Sequence, residues 1–275
     1  MNPHGLELRD VSVFSPSGQS SGEQLLLDHI SLRIAPGEWV QLAGPNGSGK
    51  STLVKLLTGQ LDRNCTVTGD IGGAFASETY PYVLQHPETG IVGATPWEDL
   101  LLGLEQRGAP EEQARTMMER VLAQTRLSAI RHRPVAEMSG GEQQLTAIAS
   151  CLAAEPPLLV LDEPTSMLDP TSRALVLAVV RELHRAGLTV IWVTHRLQEW
   201  ESDDRVLALE QGRLIYDGGP EGFYCADEEK GVSLCDRFGW TPPYAVRTAL
   251  ALRRHGIRLS PLPLCAEQLA RAVAR

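Results

Sequence analysis

Long apolar runs are missing from this chain of 275 residues. No stretch approaches the roughly 18 to 20 consecutive apolar residues of a membrane span. The first residues, Met1-Asn2-Pro3-His4-Gly5-Leu6-Glu7, lack the basic and apolar regions of a secretory signal. Cysteine is sparse: Cys65, Cys151, Cys225, Cys235 and Cys265 are odd in number and contain no C-x-x-C spacing. That pattern argues against a disulfide framework or a zinc site and for reduced cytosolic thiols. Positive charge is in deficit, with a net charge of −9. A broad electrostatic grip on nucleic acid is therefore not expected, and no nucleic acid partner is assigned. Internal repeats and low-complexity tracts are absent as well. What remains is an ordinary globular composition, 43% hydrophobic and 21% charged. A chain of this length can form one large domain, or one domain with a small second unit.

The most informative stretch is Gly44-Pro45-Asn46-Gly47-Ser48-Gly49-Lys50-Ser51-Thr52. It has the form G-x-x-x-x-G-K-[ST] of a phosphate-binding loop. The apolar run Trp39-Val40-Gln41-Leu42-Ala43 before it reads as a buried strand. Leu53, Val54, Leu56 and Leu57 after it read as a helix closed by Gly59. A chance match in a chain of this length has odds on the order of one in a hundred, before the flanking strand and helix are demanded. Glycines let successive N–H groups point at phosphate oxygens, and the helix N-terminus adds its positive end. In this motif Lys50 reaches the β- and γ-phosphates, and the Ser51 hydroxyl ligates Mg²⁺. ATP and Mg²⁺ are the expected cofactors.

The rest of the chain fits an α/β fold with a largely parallel sheet. Residues 6–13, 25–27 and 30–34 read as strands of a small N-terminal antiparallel sheet, and residues 15–22 as a loop. Residues 66–75 suggest a Gly-rich strand pair, and residues 82–84 a buried strand ending at Gln85. Residues 88–137 read as a helical insertion, with Met117, Met118, Val121 and Leu122 recurring at helical spacing. Leu145, Ile148, Ala149 and Leu152 mark an amphipathic helix beginning at Met138-Ser139-Gly140-Gly141-Glu142. Leu158-Leu159-Val160-Leu161 is a buried strand that ends in Asp162-Glu163-Pro164. Asp169-Pro170 caps a helix with Leu175, Val179 and Leu183 on one face. Residues 189–194 form another buried strand, followed by His195, and residues 206–216 a final hairpin. After Gly218 the pattern changes: residues 227–231 read as a connector, and short helices follow around residues 243–255 and 262–273. The expected organisation is a nucleotide-binding domain over residues 5–218, with its helical subdomain near 88–150, and a helical extension over 219–275.

A phosphate loop needs metal support. A buried strand ending in Asp162 places a carboxylate beside Mg²⁺, and the adjacent Glu163 is suited to act as general base on water. Gln85 and His195 also end strands, where an α/β site belongs.

The motifs at 44–52, Gln85, Ser139-Gly140-Gly141, 158–163, Ser166-Met167-Leu168-Asp169 and His195 resemble those of the ATP-binding cassette ATPases in order and spacing. The resemblance spans about residues 6–218. It implies a P-loop core with an antiparallel β-subdomain and a helical signature subdomain, and ATP held between two head-to-tail subunits. It further implies that Ser139, Gly140 and Gly141 contact the γ-phosphate of ATP held by the opposite subunit. On the same basis Asp169 couples the two sites, Gln85 senses Mg²⁺ and the attacking water, and His195 holds the γ-phosphate and Glu163. Departures are Met138 and Glu142 for the common Leu and Gln, Leu145 for a common Arg, and Ser15 where an adenine-stacking aromatic usually stands. Phe14 could stack instead or belong to the core.

The segments Gln85-His86-Pro87-Glu88-Thr89-Gly90 and Glu98-Asp99-Leu100, with the C-terminal stretch, resemble the energy-coupling factor (cobalt/vitamin uptake) ATPases. This implies an importer motor at the cytoplasmic face of the cell membrane. Its partners would be a second ATPase subunit, a transmembrane coupling subunit and a substrate-binding membrane subunit. A non-transport ATPase of the same superfamily and a weakly catalytic half of a heterodimer are the alternative readings.

Overall fold

The computed structural model describes residues 5–16, 23–72, 81–225 and 231–274. The expected loop at 17–22, residues 73–75 of the Gly-rich segment and residues 227–230 of the connector lie outside the described residues.

Strands β1 (Leu6–Pro16), β2 (Glu23–Ile34) and β4 (Thr66–Gly72) form an antiparallel sheet in the order β2-β1-β4. β1 takes in Ser15 and Pro16, which composition alone assigns to a loop, because both continue the register with β2. The second sheet holds β3 (Trp39–Ala43), β5 (Leu158–Asp162), β6 (Thr189–Val193), β7 (Arg205–Glu210) and β8 (Arg213–Gly218). Its order is β5-β6-β3-β7-β8, parallel except for the hairpin strand β8. The hairpin turns at Gln211 and Gly212, with φ of 50° and 78°, the left-handed pair that a tight two-residue turn requires.

The β3, β5 and β6 strands are buried almost end to end, as parallel strands covered on both faces must be. Successive side chains leave opposite faces. Leu159, Leu161, Val190 and Trp192 join one core with the helical layer. Leu158, Val160, Ile191 and Val193 join another with the antiparallel sheet and helix α1 (Lys50–Leu57). The helical layer comprises α2 (Pro96–Gln106), α3 (Glu111–Gln124), α4 (Gly140–Ala153) and α5 (Pro170–Arg185). In α3 Met118, Val121 and Leu122 are buried and Met117 is only half-buried. In α5 the buried face is Val176, Val179, Val180 and Leu183, one residue round from the expected Leu175 stripe.

Residues 82–84 do not form the buried strand expected of them. Val83 alone bridges to β5, donating its N–H to Val160 O at 2.9 Å and accepting from Asp162 N at 2.8 Å. Leu84 is exposed, so the apolar triplet brushes the sheet edge at one point.

Past Gly218 come α6 (Pro220–Tyr224), α7 (Leu234–Arg237), α8 (Tyr244–Arg254) and α9 (Ala266–Val273). Phe223, Tyr224, Cys235, Val246, Ala249, Leu262 and Leu264 pack on Ala43, Val206, Ala208, Leu197 and Trp200. These C-terminal residues therefore cover the face of β7 opposite the one that meets the antiparallel sheet. No helix of the described residues is long and apolar enough to cross a membrane.

Candidate functional site

The loop between β3 and α1 is shaped by steric necessity. A Cβ at Gly44 would stand 2.4 Å from Leu209 O and 2.6 Å from Ser48 Oγ, so only glycine lets the strand end pass β7. Gly47 has φ of 76° and nothing near its missing side chain, which leaves its backbone open to a ligand. Gly49 caps α1 at φ 102°. Lys50 Nζ donates to Gly44 O at 2.7 Å and Pro45 O at 3.0 Å. Burial pushes the Lys50 amine below its ordinary range, and the Asp162 and Glu163 carboxylates partly offset this. The three groups therefore share one electrostatic neighbourhood. Asp162, at the end of β5, is held above the usual carboxylate range by burial and by the Glu163 charge, against the pull of Lys50.

Glu163 adopts φ 48°, a left-handed conformation that costs a non-glycine residue roughly 1–3 kcal/mol and that clusters at functional sites. Its N–H is held by Val193 O at 2.9 Å, and its carbonyl accepts from Ser166 N and Oγ at 3.1 and 2.9 Å. The backbone is thus locked in the geometry that turns the carboxylate toward His195, whose Nε2 lies 3.0 Å from Glu163 Oε1. Burial, and secondarily the Lys50 charge, hold the imidazole below its ordinary 6.5, against the opposing pull of Glu163. Pro45, Asn46, Gln85, Glu163 and His195 line one cavity of about 610 Å³, closed on a further side by Phe238 and Trp240.

The other predicted residues lie apart from that cavity. Ser139 is the N-cap of α4 and forms a reciprocal capping box with Glu142. Ser139 N donates to Glu142 Oε2 at 2.8 Å, Ser139 Oγ accepts from Glu142 N at 3.3 Å, and Arg133 pairs with Glu142 Oε1 at 2.9 Å. These contacts hold the Glu142 carboxyl below its usual range. A Cβ on Gly141 would come 2.7 Å from Ser172 Cβ, so the start of α4 sits tight against the start of α5. Asp169 caps α5 by accepting from Thr171 N at 2.9 Å and Ser172 N at 3.1 Å. Leu145 is buried in the helical-layer core rather than at a surface. Phe14 is half-buried on β1, opposite Leu25 and Thr66, and is not among the residues lining the cavity.

Residues 27–166 match the ABC transporter family. The chain belongs to that family. It is 37% identical to the energy-coupling factor transporter ATP-binding protein EcfA1 of Halalkalibacterium halodurans, over 90% of each chain. CbiO1 of Clostridium perfringens, described as part of the ABC transporter complex cbiONQ, superposes with a TM-score of 0.69 at 25% identity, over 93% of this chain and 98% of that one. A dimeric ATP-binding cassette bound to ADP and Pi superposes with a TM-score of 0.64 at 25% identity, over 79% of this chain and all of the other. The chain is thus an ABC ATPase subunit of the energy-coupling factor group, and it binds ATP.

Three features of the ABC subunit went unread in the sequence. The Ser139-x-x-Glu142 capping box was legible from its spacing. The buried Glu199, which accepts from Thr165 Oγ1 at 2.5 Å and Trp192 Nε1 at 2.9 Å, ties the segment after Glu163 to the segment after His195. No local pattern marks it. Trp240 reaches the cavity only through the packing of the C-terminal helices.

Proposed function

We propose that this chain is the ATP-hydrolysing subunit of an energy-coupling factor importer. It would sit peripherally at the cytoplasmic face of the cell membrane, paired head-to-tail with a second ATPase subunit. A transmembrane coupling subunit and a substrate-binding membrane subunit would carry a vitamin or a transition-metal ion. In this reading residues 5–218 are the nucleotide-binding domain, with the helical subdomain at 88–150, and residues 219–275 are an extension.

The observation that carries the reading is the Glu163–His195 pair at 3.0 Å on the wall that Asn46 and Gln85 complete. The residues fit ATP with Mg²⁺. Gly47 leaves its backbone unobstructed, and Ser48 Oγ is buried without a hydrogen-bond partner, so the loop still has polar capacity to give. Ser51, Asp162 and Gln85 offer the hard oxygen donors that Mg²⁺ takes. When bound, the metal supplies neutralisation of charge on the phosphates. Residues 44–52 grip the triphosphate through main-chain N–H groups and the Lys50 amine. Glu163 accepts the proton of the attacking water. His195, with Nε2 3.0 Å from Glu163 Oε1, stands beside that carboxylate and limits where it can sit. Ser139, Gly140, Gly141 and Asp169 complete the site of the opposing subunit.

Beyond Gln85 lies a groove of about 390 Å³, where a helical membrane subunit would dock in this reading. Its rim carries the exposed apolar residues Leu84, Val92 and Leu102. The Asp99 carboxylate fastens the loop to the helical layer, accepting from Val92 N at 2.7 Å, Gly93 N at 2.9 Å and the Ser150 hydroxyl.

Glu163→Gln tests the reading. The variant should bind ATP as the parent does and lose turnover by about 10²–10⁴-fold in the assembled complex. Retained turnover would remove Glu163 as the base, and purification without any membrane subunit would remove the transport assignment.

A further inference from the structure

The catalytic cavity of this chain has a wall that the nucleotide-binding motifs do not supply. Phe238 and Trp240 follow α7, well outside residues 27–166 that match the family, and both face the space bounded by Asn46, Gln85 and Glu163. Trp240 meets the His195 ring edge-on, with centroids 5.1 Å apart and planes at 86°. The imidazole therefore stands between a carboxylate at Nε2 and an indole against its ring. A half-exposed histidine just past a strand end has a broad, nearly two-fold choice of ring orientation. A perpendicular aromatic neighbour at this distance narrows that choice.

The indole is itself firmly placed. Trp240 N donates to Cys235 O at 2.9 Å, and the Cys235 thiol donates back to Trp240 O at 3.4 Å. Cys235 is fully buried, and Ser233 caps the helix by accepting from Asp236 N at 3.0 Å. Arg237 pairs with Glu210 at the end of β7. Phe238 at 5.4 Å and Phe223 at 6.0 Å complete an aromatic cluster around the indole. A rigid turn fastened to the sheet thus carries one side chain to the ring that faces Glu163.

We propose that Trp240 is a positioning residue for His195, through which the C-terminal extension sets the rate of ATP hydrolysis. The proposal rests on the assignment of His195 to the hydrolytic site. Trp240 acts through the imidazole, fixing the orientation from which Nε2 reaches Glu163. Displacing the extension would release the ring and slow hydrolysis without loosening the grip of residues 44–52 on nucleotide.

The test is steady-state ATP hydrolysis by the full-length chain in the complex with which it purifies. Trp240→Ala should lower kcat roughly tenfold and leave KM for ATP within about twofold. Trp240→Phe, which keeps an aromatic edge, should recover most of the loss. In a His195→Ala background the Trp240→Ala change should cost nothing further, because its path of action is already gone. Val246→Ala, a one-step truncation buried in the same cluster but away from His195, controls for lost stability with the Trp240 turn still seated and should lower Tm with kcat nearly unchanged. The proposal is overturned if Trp240→Ala keeps parental kcat, if Val246→Ala loses as much kcat for the same fall in Tm, or if the Trp240 and His195 losses multiply. Undiminished turnover in His195→Ala alone would instead overturn the hydrolytic assignment on which the proposal stands.

Discussion

The two functional regions of this chain are built on opposite principles. Around Lys50 and Glu163 the structure holds unfavourable arrangements: a lysine amine and an aspartate shifted by burial, a glutamate at positive φ, a buried serine hydroxyl without a partner. Around Ser139 and Asp169 the local polar groups already have partners, in a capping box with an arginine behind it and in a two-bond helix cap. The first region has unmet electrostatic capacity, as a site that must take up a highly charged ligand requires. The second is self-sufficient and exposed, as the proposed contact with a phosphate held by another subunit would require. The grip and the proposed lid do not share a cavity, and the proposed head-to-tail pairing would reconcile them.

The largest expected effect separates the two regions outright. Lys50→Ala should abolish ATP binding by the isolated chain. Ser139→Arg should leave that binding within about threefold by calorimetry, yet cut turnover in the assembled complex by at least about 10²-fold. If Ser139→Arg weakens binding to the isolated chain as severely as Lys50→Ala does, grip and lid belong to one site and the comparison fails.

Asp162→Asn sharpens the comparison through stability. Burial raises the Asp162 pKa, so its ionised form is a burden on the folded state at neutral pH. The neutral amide should raise the nucleotide-free Tm by about 2–4 °C, roughly 1 kcal/mol, while Mg²⁺-dependent hydrolysis is lost. A lowered Tm would mean that Asp162 is a structural partner and not a strained ligand.

A smaller effect concerns pH. The folded chain holds His195 below 6.5, so the unfolded chain binds a proton that the folded chain refuses. This contribution to stability is present above pH 6.5 and is lost as pH falls through 6.5 toward the lower folded value. Melting curves for the parent and for His195→Phe should converge on that side, and parallel curves from pH 5 to pH 8 would contradict the shift. The smallest change is expected at Glu142, whose carboxylate lies against the Ser139 hydroxyl. Replacing it with glutamine removes a negative charge from the cap proposed to face a phosphate and should lower the KM for ATP by about twofold.

Much of this arrangement is legible in the amino-acid sequence. Apolar runs identified β3, β5 and β6 because strands covered on both faces have little choice of residue, and the acids and histidine that end such runs fell at one sheet edge. The Asp169-Pro170 pair announced the start of α5. Residues 82–84 misled, because a hydrophobic triplet looks the same whether it forms a ladder or touches the sheet edge at Val83 alone. Leu145 stands where an Arg is common in the family, and only tertiary packing reveals that the position points into the core. Glu199 and Trp240 were invisible for the same reason: their partners lie far along the chain, and neither belongs to a motif with a fixed spacing.

The covering of β7 by C-terminal side chains has a practical consequence. Ending a recombinant product at Gly218 would appear to isolate a minimal ATPase. It would instead strip Phe223, Tyr224, Val246, Leu262 and Leu264 from Val206, Ala208, Leu197 and Trp200. A greasy scar of that kind invites self-association, and a shortened product should come out of expression insoluble or clumped rather than as a small working enzyme.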